Sequence, residues 1–368
     1  MLGISPKQLV NEPVAAVFTG QGSQHYGMML DYLSAWPVFR EYTAKADAVL
    51  FDMLCNKRLS SICCPPLDEV KKMAKENMSI PEKAWQASEK ELRKTMNAQP
   101  AIVMYEVAQY MLFEALAGFT ANLHPFHPQV LAGHSVGEIS AYVISGALSY
   151  EEGLKIARLR GEQMSACPPY EELPENESYM AALVRFDSGR FNELENICQN
   201  LSKKHQKVSI ANINATNQIV VSGNYQAVKK AGDITVLSRI AGKAIPLDVE
   251  KPFHTEFMKD AGMNLEILIR DYDFKKPQIP VLANYDANLI ISGEDARKNL
   301  LELIPNPVRW LEITQKLKQK ARYIVEFGPK PHLTNMFNKD LANQEDIRQG
   351  KITCVYADDI IKELSSTF

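Results

Sequence analysis

The chain has 368 residues, 46% of them hydrophobic and 23% charged, a composition typical of a globular protein rather than a disordered one. Its 41 Lys and Arg against 44 Asp and Glu give a net charge of −3. The chain therefore lacks the excess of basic residues that is typical of proteins that bind a nucleic-acid backbone or an anionic membrane. The six cysteines form no Cys-x-x-Cys pair, which argues against a disulfide scaffold or a structural zinc site. No apolar run approaches the about 18 residues of a membrane span, and no signal peptide is evident, so we expect a cytoplasmic protein.

Four short apolar runs predict buried strands. They lie at 14–18, 129–133, 279–284 and 323–328, and each is followed by a turn and an amphipathic stretch. Buried strands that alternate with helices indicate a layered α/β fold.

The charged segment at 51–95 is rich in lysine and glutamate and has helical i,i+4 charge spacing. We interpret it as a solvated helical excursion. A docking surface for a partner protein is the alternative that the sequence leaves open.

The motif Gly133-His134-Ser135-Val136-Gly137 fits the pattern G-x-S-x-G and lies between a predicted strand and a predicted helix. The glycines allow a sharp turn that raises the serine to the N-terminus of the helix, where backbone N–H groups can stabilise an oxyanion. Ser135 is therefore a candidate nucleophile. The alternative is a tight glycine turn with an N-capping serine.

A serine nucleophile needs a general base, and the chain has seven histidines. The side chain of His134 must diverge from Ser135 at the turn, and His205 lies in a charged run. His254 and His332 each follow a strand-like segment and precede a helix, so the local sequence does not choose between them.

A second glycine-rich turn, at 18–24, follows the first predicted strand. Such a turn can offer backbone N–H groups to an oxyanion or a phosphate. It fits neither a P-loop nor the pattern G-x-G-x-x-G, so nucleotide binding receives little support.

The stretch from Tyr179 to about Lys243 has a different order of predicted strands and helices. Strand-like and helical segments follow one another there in the order βαββαβ, which predicts a small inserted subdomain of the ferredoxin-like (α+β) type. The proline-rich, acidic stretch at 167–178 suits a crossover between two units. We therefore expect a discontinuous large domain and an inserted subdomain, formed respectively by residues 1–176 with 244–368 and by residues 177–243.

Together these motifs resemble the malonyl-CoA:acyl carrier protein transacylase family, which includes the acyltransferase domains of polyketide synthases. The matching segments run in family order over most of the chain: FTGQGSQ at 18–24, NAQPAI at 97–102, GHSVGE at 133–138, ARLRGEQM at 157–164, MAALV at 180–184, NQIVVSG at 217–223, PFHTEFM at 252–258, NPVRW at 306–310 and EFGPKPHL at 326–333. The resemblance implies an α/β-hydrolase-like large domain with an inserted ferredoxin-like subdomain, in agreement with the two predicted units.

The resemblance also assigns the catalytic pair. It implies Ser135 as the nucleophile and His254 as the general base, with His332 as a structural residue of a late motif. In this family a main-chain carbonyl orients the histidine, from a position usually occupied by glutamine. Leu303 holds that position here, which leaves the local geometry open.

The groups that would hold the substrate follow from the same resemblance. The backbone N–H groups of Gln21 and Val136 would form the oxyanion hole. Arg160 matches the arginine that pairs with the free malonyl carboxylate, because a planar guanidinium offers two parallel hydrogen bonds. Phe253 matches a malonyl-type pocket with little room for an α-methyl branch, and Met164, in the same motif as Arg160, is also expected to bind substrate.

These assignments imply a two-step acyl transfer. Malonyl-CoA acylates the serine, and the phosphopantetheine thiol of an acyl carrier protein then takes the malonyl group, for fatty-acid or polyketide synthesis, with no metal or bound cofactor. One alternative is an acyl hydrolase that clears acyl carrier proteins, which the presence of Arg160 disfavours. The other is a non-catalytic docking protein of a synthase assembly, which the intact serine and histidine disfavour.

Overall fold

The computed structural model describes Leu9 and residues 12–76, 81–121, 126–169, 178–202 and 207–365. Within these ranges the strands are β1 (Val14–Phe18), β2 (Val130–Gly133), β3 (Met180–Val184), β4 (Val208–Ala215), β5 (Gln218–Gly223), β6 (Lys243–Pro246), β7 (Val281–Leu282), β8 (Tyr323–Phe327) and β9 (Thr353–Tyr356).

The helices in the same ranges are α1 (Leu30–Ala35), α2 (Pro37–Leu50), α3 (Leu59–Cys63), α4 (Leu67–Lys75), α5 (Glu82–Arg93), α6 (Thr95–Ala121), α7 (Gly137–Ile144), α8 (Tyr150–Ser165), α9 (Phe191–Leu201), α10 (Tyr225–Leu237), α11 (Lys259–Leu268), α12 (Gly293–Glu302), α13 (Trp310–Lys320), α14 (His332–Lys339), α15 (Gln344–Arg348) and α16 (Ala357–Ser365). None of them is long and apolar enough to cross a membrane.

A five-stranded parallel sheet in the order β7-β2-β1-β8-β9 forms the larger layer. Along β1, Ala16 and Phe18 join the core on one face, whereas Ala15 and Val17 join the core on the other. The sheet is therefore buried on both faces, which explains why its strands read as continuous apolar runs. All four strands predicted in this layer are present, and β9 is a fifth that the sequence did not indicate.

Helices α6 and α8 pack together on one face of this sheet. Their approach is close, since a Cβ at Gly161 in α8 would lie 2.7 Å from the Cα of Met96 in α6. Ser149 and Glu152 form a capping box that starts α8. This packing brings the Arg160 side chain of α8 beside Gln99 of α6.

A second, antiparallel sheet has the order β4-β5-β3-β6. With α9 and α10 between its strands, this unit has the βαββαβ connectivity and strand order of a ferredoxin-like fold, as predicted. Strand β6 ends at Pro246, and residues 170–177 of the expected crossover lie outside the described residues. The division into domains at 176 and 243 stays a prediction.

The two sheets are joined by backbone hydrogen bonds. The Val308 N–H donates to Ala211 of β4 and the Ile213 N–H donates to Val308, each at 2.9 Å. These bonds hold the antiparallel sheet against Val308, which follows Leu303 by five residues.

The 51–95 segment is helical over α3, α4 and α5, as predicted, with residues 77–80 outside the described ranges. Many of its side chains are exposed. Helix α5 is nevertheless anchored: Trp85 packs edge-on against Tyr26 at 4.8 Å between ring centroids, and Glu89 accepts a 2.6 Å hydrogen bond from the Tyr26 N–H. The segment therefore packs against the chain that follows the glycine-rich turn.

Candidate active site

The turn between β2 and α7 carries Ser135 in the left-handed backbone region, with φ +52°. A Cβ at Gly133 would lie 2.0 Å from the backbone carbon of Gly137, and a Cβ at Gly137 would lie 2.4 Å from the carbonyl oxygen of Thr19. Both motif glycines are therefore required by close backbone approach. The result is the sharp strand-to-helix turn that the sequence predicts, with Ser135 at its apex.

His254 lies against this serine although 119 residues separate them. Its Nε2 atom is 2.9 Å from Ser135 Oγ, and its Nδ1 atom is 2.9 Å from the Leu303 carbonyl oxygen. Because the carbonyl can only accept, Nδ1 carries the proton and Nε2 is left as an acceptor for the serine hydroxyl. Burial, with a smaller effect from the nearby Arg160 charge, lowers the pKa of His254 to about 3, so the imidazole is neutral at neutral pH.

The other histidines are placed differently. His134 points away from Ser135, as expected, and its Nε2 atom is 2.9 Å from Asn214 Oδ1. His332 lies on the wall of the adjoining cavity, and burial followed by the charge of Lys330 lowers its pKa. His127 is exposed, while His124 and His205 lie outside the described residues. Among the described histidines, His254 is the one in contact with the serine hydroxyl.

Arg160 lies beneath the serine and is 1% exposed. One terminal nitrogen donates to Gln99 Oε1 at 2.8 Å and the other approaches Ser135 Oγ at 3.3 Å. Among the residues that the structure describes, its Nε atom has no hydrogen-bond partner and no carboxylate forms an ion pair with it. Burial lowers the pKa of Arg160 to about 10, an effect that the charge of Glu138 opposes, so the guanidinium remains charged at neutral pH.

The two remaining pocket candidates take different positions. Phe253 precedes His254 on the cavity wall and is largely buried. Met164 is buried away from that wall, and its sulfur is 3.5 Å from Gln99 Nε2. Met164 therefore reaches the site through Gln99 and Arg160 rather than by lining the cavity.

The backbone N–H groups of Gln21 and Val136 are available to a ligand, since neither has an acceptor among the residues that the structure describes. The turn that carries Gln21 is held from below by Glu106, which accepts hydrogen bonds from Thr19 Oγ1 at 2.7 Å and Ser140 Oγ at 2.6 Å. Two N–H donors without a protein acceptor are what the predicted oxyanion hole requires, and its assignment to Gln21 and Val136 stays a prediction.

Three buried polar residues around the turn were not predicted to have a role: Glu106, Glu138 and Asn284. Glu138 is part of the GHSVGE motif, and Asn284 ends a predicted strand, so the signal was a polar residue at a position expected to be buried. Burial raises the pKa of Glu138 to about 7, against hydrogen bonds from Tyr142 and Asn284 that favour the ionised form.

A cavity of about 440 Å³ opens above Ser135 and His254, between the two sheets. The parallel-sheet side contributes the glycine-rich turn, and the antiparallel side contributes Asn212, Asn214 and Val220. Arg93 of α5 also lines it and forms an ion pair with Asp248, in the stretch that leads to His254. The site is thus a cleft lined by a serine and a neutral histidine, with a buried arginine in contact with the serine.

Known proteins are similar to this chain in sequence and in architecture. The model of the acyl transferase domain family matches residues 16–364. The malonyl CoA-acyl carrier protein transacylase of Bacillus subtilis strain 168 is 31% identical over 89% of this chain and 90% of its own length, and that of Escherichia coli K12 is 29% identical over 88% and 91%.

Solved structures agree with the sequence matches. The malonyl CoA-acyl carrier protein transacylase of Coxiella burnetii superposes with a TM-score of 0.76 at 28% identity, over 96% of this chain and 97% of that one. A malonyl-transacylase in complex with a type II PKS acyl-carrier protein gives a TM-score of 0.75 at 27% identity, over 95% and 99%.

Proposed function

Because the chain belongs to the acyl transferase domain family, we propose that it transfers a malonyl group from malonyl-CoA to the phosphopantetheine thiol of an acyl carrier protein. The observation that carries the choice of acyl group is the buried Arg160 guanidinium, which touches Ser135 Oγ and has an unpartnered Nε. A buried cation without a carboxylate partner is costly unless a ligand supplies one. The free carboxylate of a malonyl group is such a partner.

The first step forms an acyl-enzyme. His254 Nε2 takes the hydroxyl proton as Ser135 Oγ attacks the thioester carbonyl carbon of malonyl-CoA. The N–H groups of Gln21 and Val136 stabilise the resulting oxyanion. The Leu303 carbonyl oxygen continues to accept the hydrogen bond from Nδ1–H as the imidazole ring becomes cationic. The C–S bond then breaks, and the departing CoA sulfur takes the proton from Nε2.

The second step reverses the first with a new thiol. The phosphopantetheine thiol of the carrier protein gives its proton to His254 Nε2 and attacks the ester carbonyl carbon. Collapse of the tetrahedral intermediate breaks the bond to Ser135 Oγ, which recovers the proton from the histidine. Neither step needs a metal or a redox cofactor.

Arg160 would select and protect the intermediate. In a malonyl ester a single methylene separates the carboxylate from the carbonyl carbon, so an acyl group on Ser135 brings its carboxylate within reach of a guanidinium 3.3 Å from Oγ. Charge-assisted hydrogen bonds are stronger in such a buried site than in water. Phe253 would restrict substituents on that methylene, by about 1–3 kcal/mol for one methyl group.

We also propose that the protein works in the cytoplasm. All six cysteines are free thiols, and five of them are buried. Free thiols suit a reducing compartment.

The test is to follow the acyl group by mass. The protein is incubated with malonyl-CoA, methylmalonyl-CoA or acetyl-CoA, its intact mass is measured, and carrier protein is then added. We expect malonyl loading that moves to the carrier and is lost in Ser135→Ala, with Ser145→Ala, another buried serine, as the matched control. Equal loading of acetyl and malonyl groups would overturn the role of Arg160. Release of malonate to water in place of carrier loading would indicate a hydrolase.

A further inference from the structure

Asn284 joins the backbone on both sides of the turn that holds the nucleophile. It follows β7 and is fully buried. Its Oδ1 atom accepts a 2.8 Å hydrogen bond from the Ser135 N–H, and its Nδ2 atom donates to the Gly133 carbonyl oxygen. A single amide therefore bridges the last residue of β2 and the serine itself.

The orientation of this amide is fixed by its partners. A backbone N–H can only donate and a backbone carbonyl can only accept, so Oδ1 must face Ser135 and Nδ2 must face Gly133. Glu138 supports the same orientation, because its Oε2 atom accepts from both the backbone N–H and Nδ2 of Asn284 at 2.6 Å. Tyr142 in turn donates to Glu138 Oε1 at 2.6 Å.

The hydrogen bonds from Asn284 stabilise a strained turn. Ser135 has φ +52°, a conformation that is strained for a residue with a side chain and persists only when its surroundings impose it. The bond to Asn284 also occupies the N–H of Ser135 itself. The N–H of Val136, the next residue, has no acceptor among the described residues, and the same holds for that of Gln21.

We propose that Asn284 is a positioning residue that holds Ser135 Oγ in line with His254, and that Glu138 acts by holding Asn284. The identity of the acyl group rests on the proposed function, whereas the positioning of Ser135 holds for any electrophile that the serine attacks. Neither residue touches the reacting atoms.

The test uses an uncharged fluorophosphonate, which labels an activated serine and needs neither malonyl recognition nor Arg160. We expect Asn284→Ala to be labelled about 100-fold more slowly than wild type, because a misplaced nucleophile loses that order of rate. The matched control is Asn343→Ala: Asn343 is likewise buried and bridges Phe337 and Lys318 with its amide, far along the chain from the turn, and its loss should leave the labelling rate unchanged.

Two measurements separate positioning from general stability. Malonyl-CoA affinity, measured in a Ser135→Ala background, should be the same with and without Asn284→Ala, while the acylation rate constant at saturating malonyl-CoA falls in the single variant. A merely structural role would lower the melting temperature and the fraction of protein labelled but leave the rate of the folded fraction unchanged. Wild-type labelling rate in folded Asn284→Ala overturns the proposal.

If Asn284→Ala does not fold, Asn284→Ser decides. Its hydroxyl keeps a polar atom inside but cannot reach both Gly133 and Ser135, so labelling should slow at least about 10-fold. For Glu138 the test is a double-mutant cycle: with Asn284→Ala already present, Glu138→Ala should slow labelling no further. Additive losses would overturn the indirect role of Glu138. Normal labelling of wild type without malonyl loading would contradict the proposed function alone.

Discussion

Arg158 and Arg160 are two residues apart on helix α8 and are both buried, but only Arg158 has a carboxylate partner among the described residues. Arg158 pairs with Glu162 at 2.7 Å and also donates to the Met96 carbonyl oxygen and Asn97. Arg160 instead contacts Gln99 and the nucleophile. One arginine is used in packing, and the other keeps hydrogen-bonding capacity for a ligand.

Replacing these two arginines should therefore have different effects. We expect Arg160→Ala to reduce malonyl loading about 10- to 100-fold relative to acetyl loading, since a charged hydrogen-bond pair is lost. Arg158→Ala should lower the melting temperature while leaving the ratio of malonyl to acetyl loading unchanged. Competition between the two acyl-CoAs, read by intact mass, measures that ratio. An unchanged ratio in Arg160→Ala would show that the guanidinium does not bind the carboxylate.

The base assignment can be tested among the histidines. Loss of a general base slows a reaction about 100- to 10,000-fold, so His254→Ala should acylate in that reduced range. His332→Ala should acylate at least about tenfold faster than His254→Ala, because His254 rather than His332 contacts Ser135 Oγ. The exposed His127 provides the control, with wild-type rates in His127→Ala. Acylation is followed by rapid quenching with malonyl-CoA, and equal losses in His254→Ala and His332→Ala would be evidence against the pair.

The parallel sheet and the turn around Ser135 could be predicted because their signals are local. Apolar runs reveal buried strands, and G-x-S-x-G between a strand and a helix reveals a sharp turn. Strand β9 was missed because a run of four residues, Thr353–Tyr356, carries little periodicity.

The supporting contacts of the site could not be read from the sequence, since they join residues far apart in the chain. Asn284 meets Ser135 across 149 residues, and Arg93 meets Asp248 across 155. Local pattern carries no information on which distant polar groups a fold brings together. The choice between His254 and His332 was of the same kind, and it depended on the family resemblance until the structure placed His254 beside Ser135.

Buried neutral histidine makes stability depend on pH. The pKa of His254 is lowered to about 3 in the folded protein, against an ordinary value of 6.5 for histidine, so below pH 6.5 the unfolded chain binds a proton that the folded one does not. This stabilisation is present above pH 6.5 and is lost as the pH falls towards 3. Between pH 7 and pH 5 wild type should lose about 2 kcal/mol more unfolding free energy than His254→Ala.

Urea unfolding at the two pH values measures this difference, and His127→Ala, at an exposed site, should keep the wild-type pH dependence. Other groups, such as the buried carboxyls, contribute equally to wild type and variant and cancel in the comparison. Parallel losses in wild type and His254→Ala would mean that His254 is not held neutral by the fold.

Close backbone approach at the turn predicts a glycine-specific loss of stability. A methyl group at Gly133 would collide with the backbone of Gly137 at 2.0 Å, so Gly133→Ala should cost about 3 kcal/mol or more. Gly350 also resists substitution, through φ +66°, but no atom of the described residues lies within 4 Å of the added Cβ. Gly350→Ala should cost only about 1 kcal/mol. Urea unfolding of both variants checks the contrast, and equal costs would contradict the collision.

The exposed lysines of α4 test whether the 51–95 segment is a docking surface. Lys71, Lys72 and Lys75 are exposed on this helix, and none of them lines the cavity, unlike Glu89 and Arg93 of α5. An exposed charged face with i,i+4 spacing is usually a solvated one.

We therefore expect the triple change of these lysines to glutamate to leave both acylation from malonyl-CoA and transfer to the carrier protein within about twofold of wild type, an energy change below about 0.5 kcal/mol. Single-turnover measurements separate the two steps. A selective loss of carrier transfer, with acylation intact, would show that the segment binds the carrier and would replace our interpretation of it as a solvated excursion.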